Sequence, residues 1–118
     1  MSLSDETIKK VFIELQNQMA ESNRQLSGVK AQMQAKEREK RLAELTKKEL
    51  SELNDGVRTY KSVGKAFFQT SLSDLQNELK DRIESNATDI QALEKKQKYL
   101  ERNITEHQNN LREILSRN

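Results

Sequence analysis

Chemistry in this chain would have to start at His107, its single histidine. An imidazole works as a general base or a metal ligand when a carboxylate, a second histidine or a thiolate stands beside it. The chain has no cysteine, and Glu106, the neighbour of His107 in sequence, falls on another face of a helix. His107 therefore reads as a structural or partly exposed seam residue. The three glycines, Gly28, Gly56 and Gly64, are isolated, so no glycine-rich phosphate loop is formed. None of the serines stands in a nucleophile-elbow context. Carboxylates are abundant, but two of them share acid and base roles only where a pocket separates their pKa values. With 34% charged and 4% aromatic residues, these carboxylates read as solvated surface. The expectation is a protein that is not an enzyme, with no catalytic residue, no cofactor and no metal.

Charge offers the next candidate chemistry. The run Lys36-Glu37-Arg38-Glu39-Lys40-Arg41 invites comparison with the basic helices that precede leucine zippers. Glutamates interrupt the basics, Glu37 and Arg41 are spaced to pair on a helix surface, and the helix is expected to stop near Leu53. The net charge is +2 and the pI about 8.9, but the two signs alternate along the chain. No nucleic-acid partner is expected. The longest apolar runs are Val11-Phe12-Ile13 and Ala66-Phe67-Phe68, too short to cross a membrane. The polar N-terminus lacks the apolar stretch of a secretory signal, and the absence of cysteine suits an intracellular protein.

What must position any functional surface is a pair of helical arms. There is no proline to forbid long helices. Helix one is expected over about 5–44, with Ser4 as N-cap, Thr7 three residues on, and Asp5 and Glu6 at the positive end of the dipole. Its seam steps alternately by four and three through Ile8, Phe12, Leu15, Met19, Ser22, Leu26, Val29 and Met33. Beyond Met33 it meets Lys36 and Lys40, and a phase shift toward Leu42 and Leu45 is expected. Gly28 marks a bend, a close helix approach or a tolerated weak point. Thr46 to Glu49 fits a capping box and predicts a short second helix over about 46–54, ended by Asn54-Asp55-Gly56. The last helix, about 72–117, starts after Ser71 with Asp74 three residues on. It carries the most regular seam of the chain: Leu79, Ile83, Asn86, Ile90, Leu93, Gln97, Leu100, Ile104, His107, Leu111 and Ile114. Asn86, Gln97 and His107 make that seam partly polar, which weakens it and helps fix register.

Between the arms, residues 57–69 gather aromatic and β-branched side chains around a glycine. Two strands, near Val57 to Ser62 and Lys65 to Gln69, would turn at Val63-Gly64. Side chains alternate faces along a strand, so Phe67 and Phe68 point opposite ways, as do Val57 and Tyr60. A lone hairpin is marginal in water and its open edges pair with other chains. Val57, Tyr60, Val63, Gly64, Ala66, Phe67 and Phe68 are therefore the expected assembly residues. The fold class is mainly α: a long antiparallel two-helix coiled coil joined by one β-hairpin, in a single domain over 1–118. The two chain ends then meet at a tip. There Val11 and Ile13 join Ile8, Phe12 and Leu15, while Leu115 joins Leu111 and Ile114. This is either a broad seam or a surface that grips apolar segments of another protein.

The order of helix, Leu45-Thr46-Lys47-Lys48-Glu49-Leu50, hairpin Tyr60-Lys61-Ser62-Val63-Gly64-Lys65-Ala66-Phe67-Phe68 and second helix with Lys98-Tyr99-Leu100-Glu101 closely resembles the prefoldin family, and within it the β-type subunits. An α-type subunit carries two hairpins; this chain has room for one. The resemblance implies a heterohexamer of two α-type and four β-type prefoldin subunits whose hairpins form a double β-barrel platform. It implies an ATP-independent cytoplasmic co-chaperone that captures non-native proteins, notably actin and tubulin, and passes them to the group II chaperonin. The family's client contacts at the distal ends would fall on Ile8, Val11, Phe12, Leu15, Leu111, Ile114 and Leu115. The competing reading is a structural or tethering coiled coil without client binding. A tether, however, needs only a polar turn where this chain has Tyr60, Phe67 and Phe68.

Overall fold

The structure, a computed structural model, describes residues 4–116. Its order is α1 (Asp5–Ser51), β1 (Tyr60–Val63), β2 (Ala66–Gln69) and α2 (Leu72–Ser116). The chain divides into two compact units. A terminal unit joins α1 up to Met33 with α2 from Ala92 onward. A hairpin unit spans Gln34–Gln91.

Both helices begin as their caps predict. Ser4 Oγ accepts from the Thr7 backbone N–H at 3.2 Å, and Ser71 Oγ accepts from that of Asp74 at 3.1 Å. Each hydroxyl thus satisfies one of the N–H groups that a helix start leaves orphaned. The expected restart at Thr46 does not occur, so there is one helix over 5–51 and not two over 5–44 and 46–54. Thr46 Oγ1 donates to the Leu42 carbonyl at 2.9 Å, one turn back, which a threonine inside a helix can do without breaking it. The helix ends by tightening: Glu52 N–H bonds to Glu49 O and Leu53 N–H to Leu50 O, each at 3.2 Å, in i to i+3 fashion. Gly56 has no positive φ, so a left-handed glycine is not the terminator.

In the terminal unit the seam follows its predicted positions. Ser22, Val29 and Leu100 are buried; Ile8, Phe12, Leu15, Met19, Leu26, Met33, Leu93, Gln97, Ile104, His107, Leu111 and Ile114 are half-buried. A groove lined by Glu14, Asn17, Gln18, Glu21 and Ser22 of α1 and by Asn103 and His107 of α2 brings the two helices together. Gly28 stands in unbroken helix, and a Cβ added to it would meet nothing within 4 Å, so it marks no close helix approach.

In the hairpin unit the seam keeps its phase, against the expected shift. Lys36, Lys40, Thr46, Lys47 and Leu50 are half-buried and Ala43 is buried, whereas Leu42 and Leu45 are 66% and 54% exposed. A lysine lays its aliphatic stem along an apolar seam and keeps its ammonium in water, so the steps of three and four continue through charged residues. Lys36 Nζ reaches Asp89 Oδ2 of α2 at 3.3 Å. A second groove joins Leu42, Ala43 and Thr46 to Leu79 and Arg82. Later positions on α1 thus meet earlier positions on α2, an antiparallel pairing. Ile90 and Asn86 are buried from the α2 side.

The two strands pair antiparallel, Tyr60 with Gln69, Lys61 with Phe68, Ser62 with Phe67 and Val63 with Ala66. The turn is Gly64-Lys65, one residue later than Val63-Gly64, and β1 starts at Tyr60 and not at Val57. Gly64 has φ +61° and, among the described residues, no non-glycine residue has a positive φ, which fits a two-residue type II′ turn with glycine first. Thr59 and Thr70 extend the ladder by one rung: Thr70 N–H bonds to Thr59 O at 3.0 Å, and Thr59 Oγ1 donates to Thr70 O.

Candidate functional site

The register sorts the hairpin into two faces. One carries Tyr60, Ser62, Phe67 and Gln69; the other carries Lys61, Val63, Ala66 and Phe68. Neither face is covered. Phe67 is 72% exposed and Phe68 56%, and Tyr60, Val63 and Val57 are exposed as well. All seven residues read from the sequence as assembly positions are therefore exposed in the single chain. Gly64 sets the turn, while Val57 stands outside the strand. Phe67 and Phe68 alone offer a few kcal/mol of unused burial, at about 1.5–3 kcal/mol for each large side chain. Lys61 links the hairpin to α2 at the surface. Its Nζ lies 3.0 Å from both Glu78 carboxylate oxygens of α2.

The expected tip residues lie in the terminal unit, with a more divided exposure than the sequence suggests. Ile8, Val11, Phe12, Leu15, Leu111 and Ile114 are half-buried. Leu115 is 60% exposed, and so is Ile13 at 56%. Half-buried seam residues mainly hold the helices together, whereas Ile13 and Leu115 offer aliphatic surface outward. Ile13 belongs with the contact candidates. Its signal was present in the sequence, because it is off the seam that Phe12 and Leu15 define.

Among the described residues, two seam side chains hold a buried polar atom without a hydrogen-bond partner. Asn86 is buried in the hairpin unit, with Nδ2 lacking a hydrogen-bond partner. In the terminal unit Ser22 is buried, and His107 Nδ1 is buried without a partner. Ser22 and His107 line the same groove, so one polar seam position from each helix falls in the same layer, which neither helix reveals alone. Beside it, the Arg24 guanidinium bonded to Glu21 holds that carboxyl below the usual carboxylate range, with the Gln25 amide adding to the effect. This pair is on the open surface. Among the described residues no group of three or more His, Asp or Glu could hold a metal ion, and no helix is long and apolar enough to cross a membrane.

The arrangement offers surfaces for binding other chains. A family model described as "Prefoldin subunit" matches residues 13–118. Prefoldin subunit 1 of Arabidopsis thaliana is 34% identical over 113 residues, covering 96% of this chain and 88% of the relative. The probable prefoldin subunit 1 of Schizosaccharomyces pombe is 34% identical over 101 residues, covering 86% and 90%. The crystal structure of the prefoldin beta subunit from Thermococcus strain KS-1 is similar in fold, with a TM-score of 0.80 at 26% identity, covering 86% of this chain and 90% of that one.

Proposed function

The chain belongs to the prefoldin family, and from that premise we propose that it is a β-type subunit of a heterohexameric chaperone that holds non-native proteins without ATP. Two α-type and four β-type subunits would share their hairpins in a common β-platform. The observation that carries this reading is the hairpin with two uncovered faces, bearing Phe67 on one and Phe68 on the other. A two-stranded sheet in that state gains stability by pairing its edges and burying its rings against other strands. The terminal unit then supplies apolar side chains to clients, with Ile13 and Leu115 outermost. Several weak contacts from several subunits add up by avidity, so no single tight pocket is needed. Actin and tubulin chains are the clients, the group II chaperonin is the receiver, and the cytoplasm is the compartment.

The test is co-expression with an α-type subunit, followed by mass measurement of the intact assembly and an aggregation-suppression assay on a denatured client. A discrete hexamer that suppresses aggregation is the expected result. A stable homodimer that stays client-inert under every mixing condition would refute the proposal and leave the tethering role. Within the hexamer, Phe12→Ser with Leu115→Ser is expected to weaken suppression while assembly survives. Unchanged suppression would remove the tip assignment.

A further inference from the structure

Two leucines of α1 are left over by the fold. The seam in the hairpin unit passes through Lys40, Ala43 and Lys47, and it leaves Leu42 66% and Leu45 54% exposed. Steps of four, three and four link them to a charge on either side. Arg38, Leu42, Leu45 and Glu49 share one stripe, on the face of α1 turned away from that seam. All four are exposed. The two charges have no local answer. Three and four positions from Arg38 stand Gln34, Ala35, Arg41 and Leu42; from Glu49 they are Leu45, Thr46, Glu52 and Leu53. Among the described residues neither Arg38 nor Glu49 is in an ion pair, unlike Lys36 and Lys40 of the same helix.

We propose that this stripe is a contact between two copies of the chain, antiparallel about a two-fold axis that passes between Leu42 and Leu45. The order cation, leucine, leucine, anion is its own complement when reversed. Set end to end, Arg38 meets the partner's Glu49 and Leu42 meets the partner's Leu45, and the symmetry repeats both contacts. A parallel pair would set Arg38 on the partner's Arg38 and Glu49 on the partner's Glu49, so the charges select the antiparallel register. Spacing by four, three and four is that of a coiled-coil seam. Arg41 and Lys48 flank the stripe and approach each other across the axis. Each has glutamates three or four positions away on its own helix, Glu37 and Glu44 for Arg41 and Glu44 and Glu52 for Lys48, which offset that repulsion. The interface is small. Four leucines and two ion pairs fall below the roughly 1,200 Å² of a stable complex, so the pair forms and separates readily. The stripe shares no residue with the hairpin or with the client set, so its test is independent of the proposed function.

The experiment is sedimentation equilibrium of the full chain from about 10 μM to 1 mM, with Phe67→Ser and Phe68→Ser present throughout to silence association through the hairpin. Self-association is expected. Arg38→Glu alone or Glu49→Arg alone should weaken it about tenfold, because each reversal turns two attractions into two repulsions. The Arg38→Glu chain mixed with the Glu49→Arg chain should associate at least as tightly as the unreversed chain, since both pairs are again attractive in the mixed dimer. Leu42→Ser with Leu45→Ser should abolish association. A second measurement leaves the hairpin native: Arg38→Cys and Glu49→Cys chains, otherwise free of cysteine, are mixed with oxidised glutathione. The mixed disulfide should exceed both like disulfides severalfold, because residue 38 and its symmetry mate stand about 16 Å apart along the helix axis. All substituted positions are exposed, and circular dichroism is expected to show unaltered helix content. Absence of self-association, reversals without effect, a mixture no tighter than either variant alone, or a statistical distribution of disulfides would each overturn the proposal.

Discussion

Replacing Asn86 by leucine should stabilise the protein, although the asparagine is buried in a helix seam. Asn86 is 3% exposed and its Nδ2 has no partner. An unsatisfied buried donor costs about 1–3 kcal/mol, which the substitution removes. A buried leucine adds about 1.5–3 kcal/mol of apolar burial. Against this stands the strain of a different shape in a packed seam, about 1–3 kcal/mol. The net is a gain of about 1–3 kcal/mol, because the opposing term cancels only one of the two favourable ones. With a urea m-value of about 2 kcal/mol/M, the midpoint should rise by about 0.5–1.5 M. The assay is urea unfolding followed by circular dichroism, at one fixed protein concentration for both chains, since assembly contributes to apparent stability. A second readout follows from the role of seam asparagines in fixing register: the variant should populate a wider range of oligomers by native mass spectrometry. A lower midpoint for Asn86→Leu would refute the reasoning, because it would mean that Nδ2 is hydrogen-bonded in solution.

Three further outcomes are expected. Gly28→Ala should stabilise the helix by about 1 kcal/mol in thermal or urea unfolding, since its Cβ enters open space within unbroken helix. Gly64→Ala should cost about 1–2 kcal/mol through the positive φ of the turn, read as weakened assembly with other subunits in native mass spectra. For Glu21 the folded-state pKa lies below its unfolded value, so its contribution is present above the unfolded pKa and is lost as pH falls through the folded one. An NMR titration of the Glu21 carboxyl should give a pKa below the ordinary glutamate range, moving back toward it in Arg24→Ala.

The helical seams were legible because their signal is local and repeats. Four-three spacing placed Ile8 to Met33 and Leu79 to Ile114 correctly, including the polar positions Ser22, Asn86 and His107. The reading failed where a local cue competed with that period. Thr46-Lys47-Lys48-Glu49 has the letters of a helix start, but a threonine that bonds back to Leu42 sits equally well inside one. Lys36, Lys40 and Lys47 hid the seam because residue type suggested solvent, whereas their aliphatic stems occupy seam positions. Had the period been trusted over the charges, Leu42 and Leu45 would have fallen outside the seam from the start. The turn was displaced by one residue because sequence supplies the glycine but not which loop position it takes. Exposure of the apolar surfaces was harder still. Phe67 and Phe68 were expected to face opposite ways, and the register agrees. Ile13 and Leu115 stand one residue off the seam positions Phe12 and Ile114, so the period alone turns them outward, whereas Val11, also off the seam, is half-buried.

The coincidence of Ser22 and His107 in one layer bears on how the terminal unit breathes. Buried and half-buried apolar seam positions lie on both sides of that layer: Ile8, Phe12, Leu15, Met19, Leu111 and Ile114 on one, and Leu26, Val29, Met33, Leu93, Leu100 and Ile104 on the other. A layer built on a serine and a histidine buries less apolar surface than its neighbours and so couples the two sides weakly. Opening of the outer turns therefore stops at the layer and leaves the inner seam closed. In hydrogen-exchange terms the outer turns and the inner seam behave as separate foldons, with an amide protection step between them near Ser22 and His107.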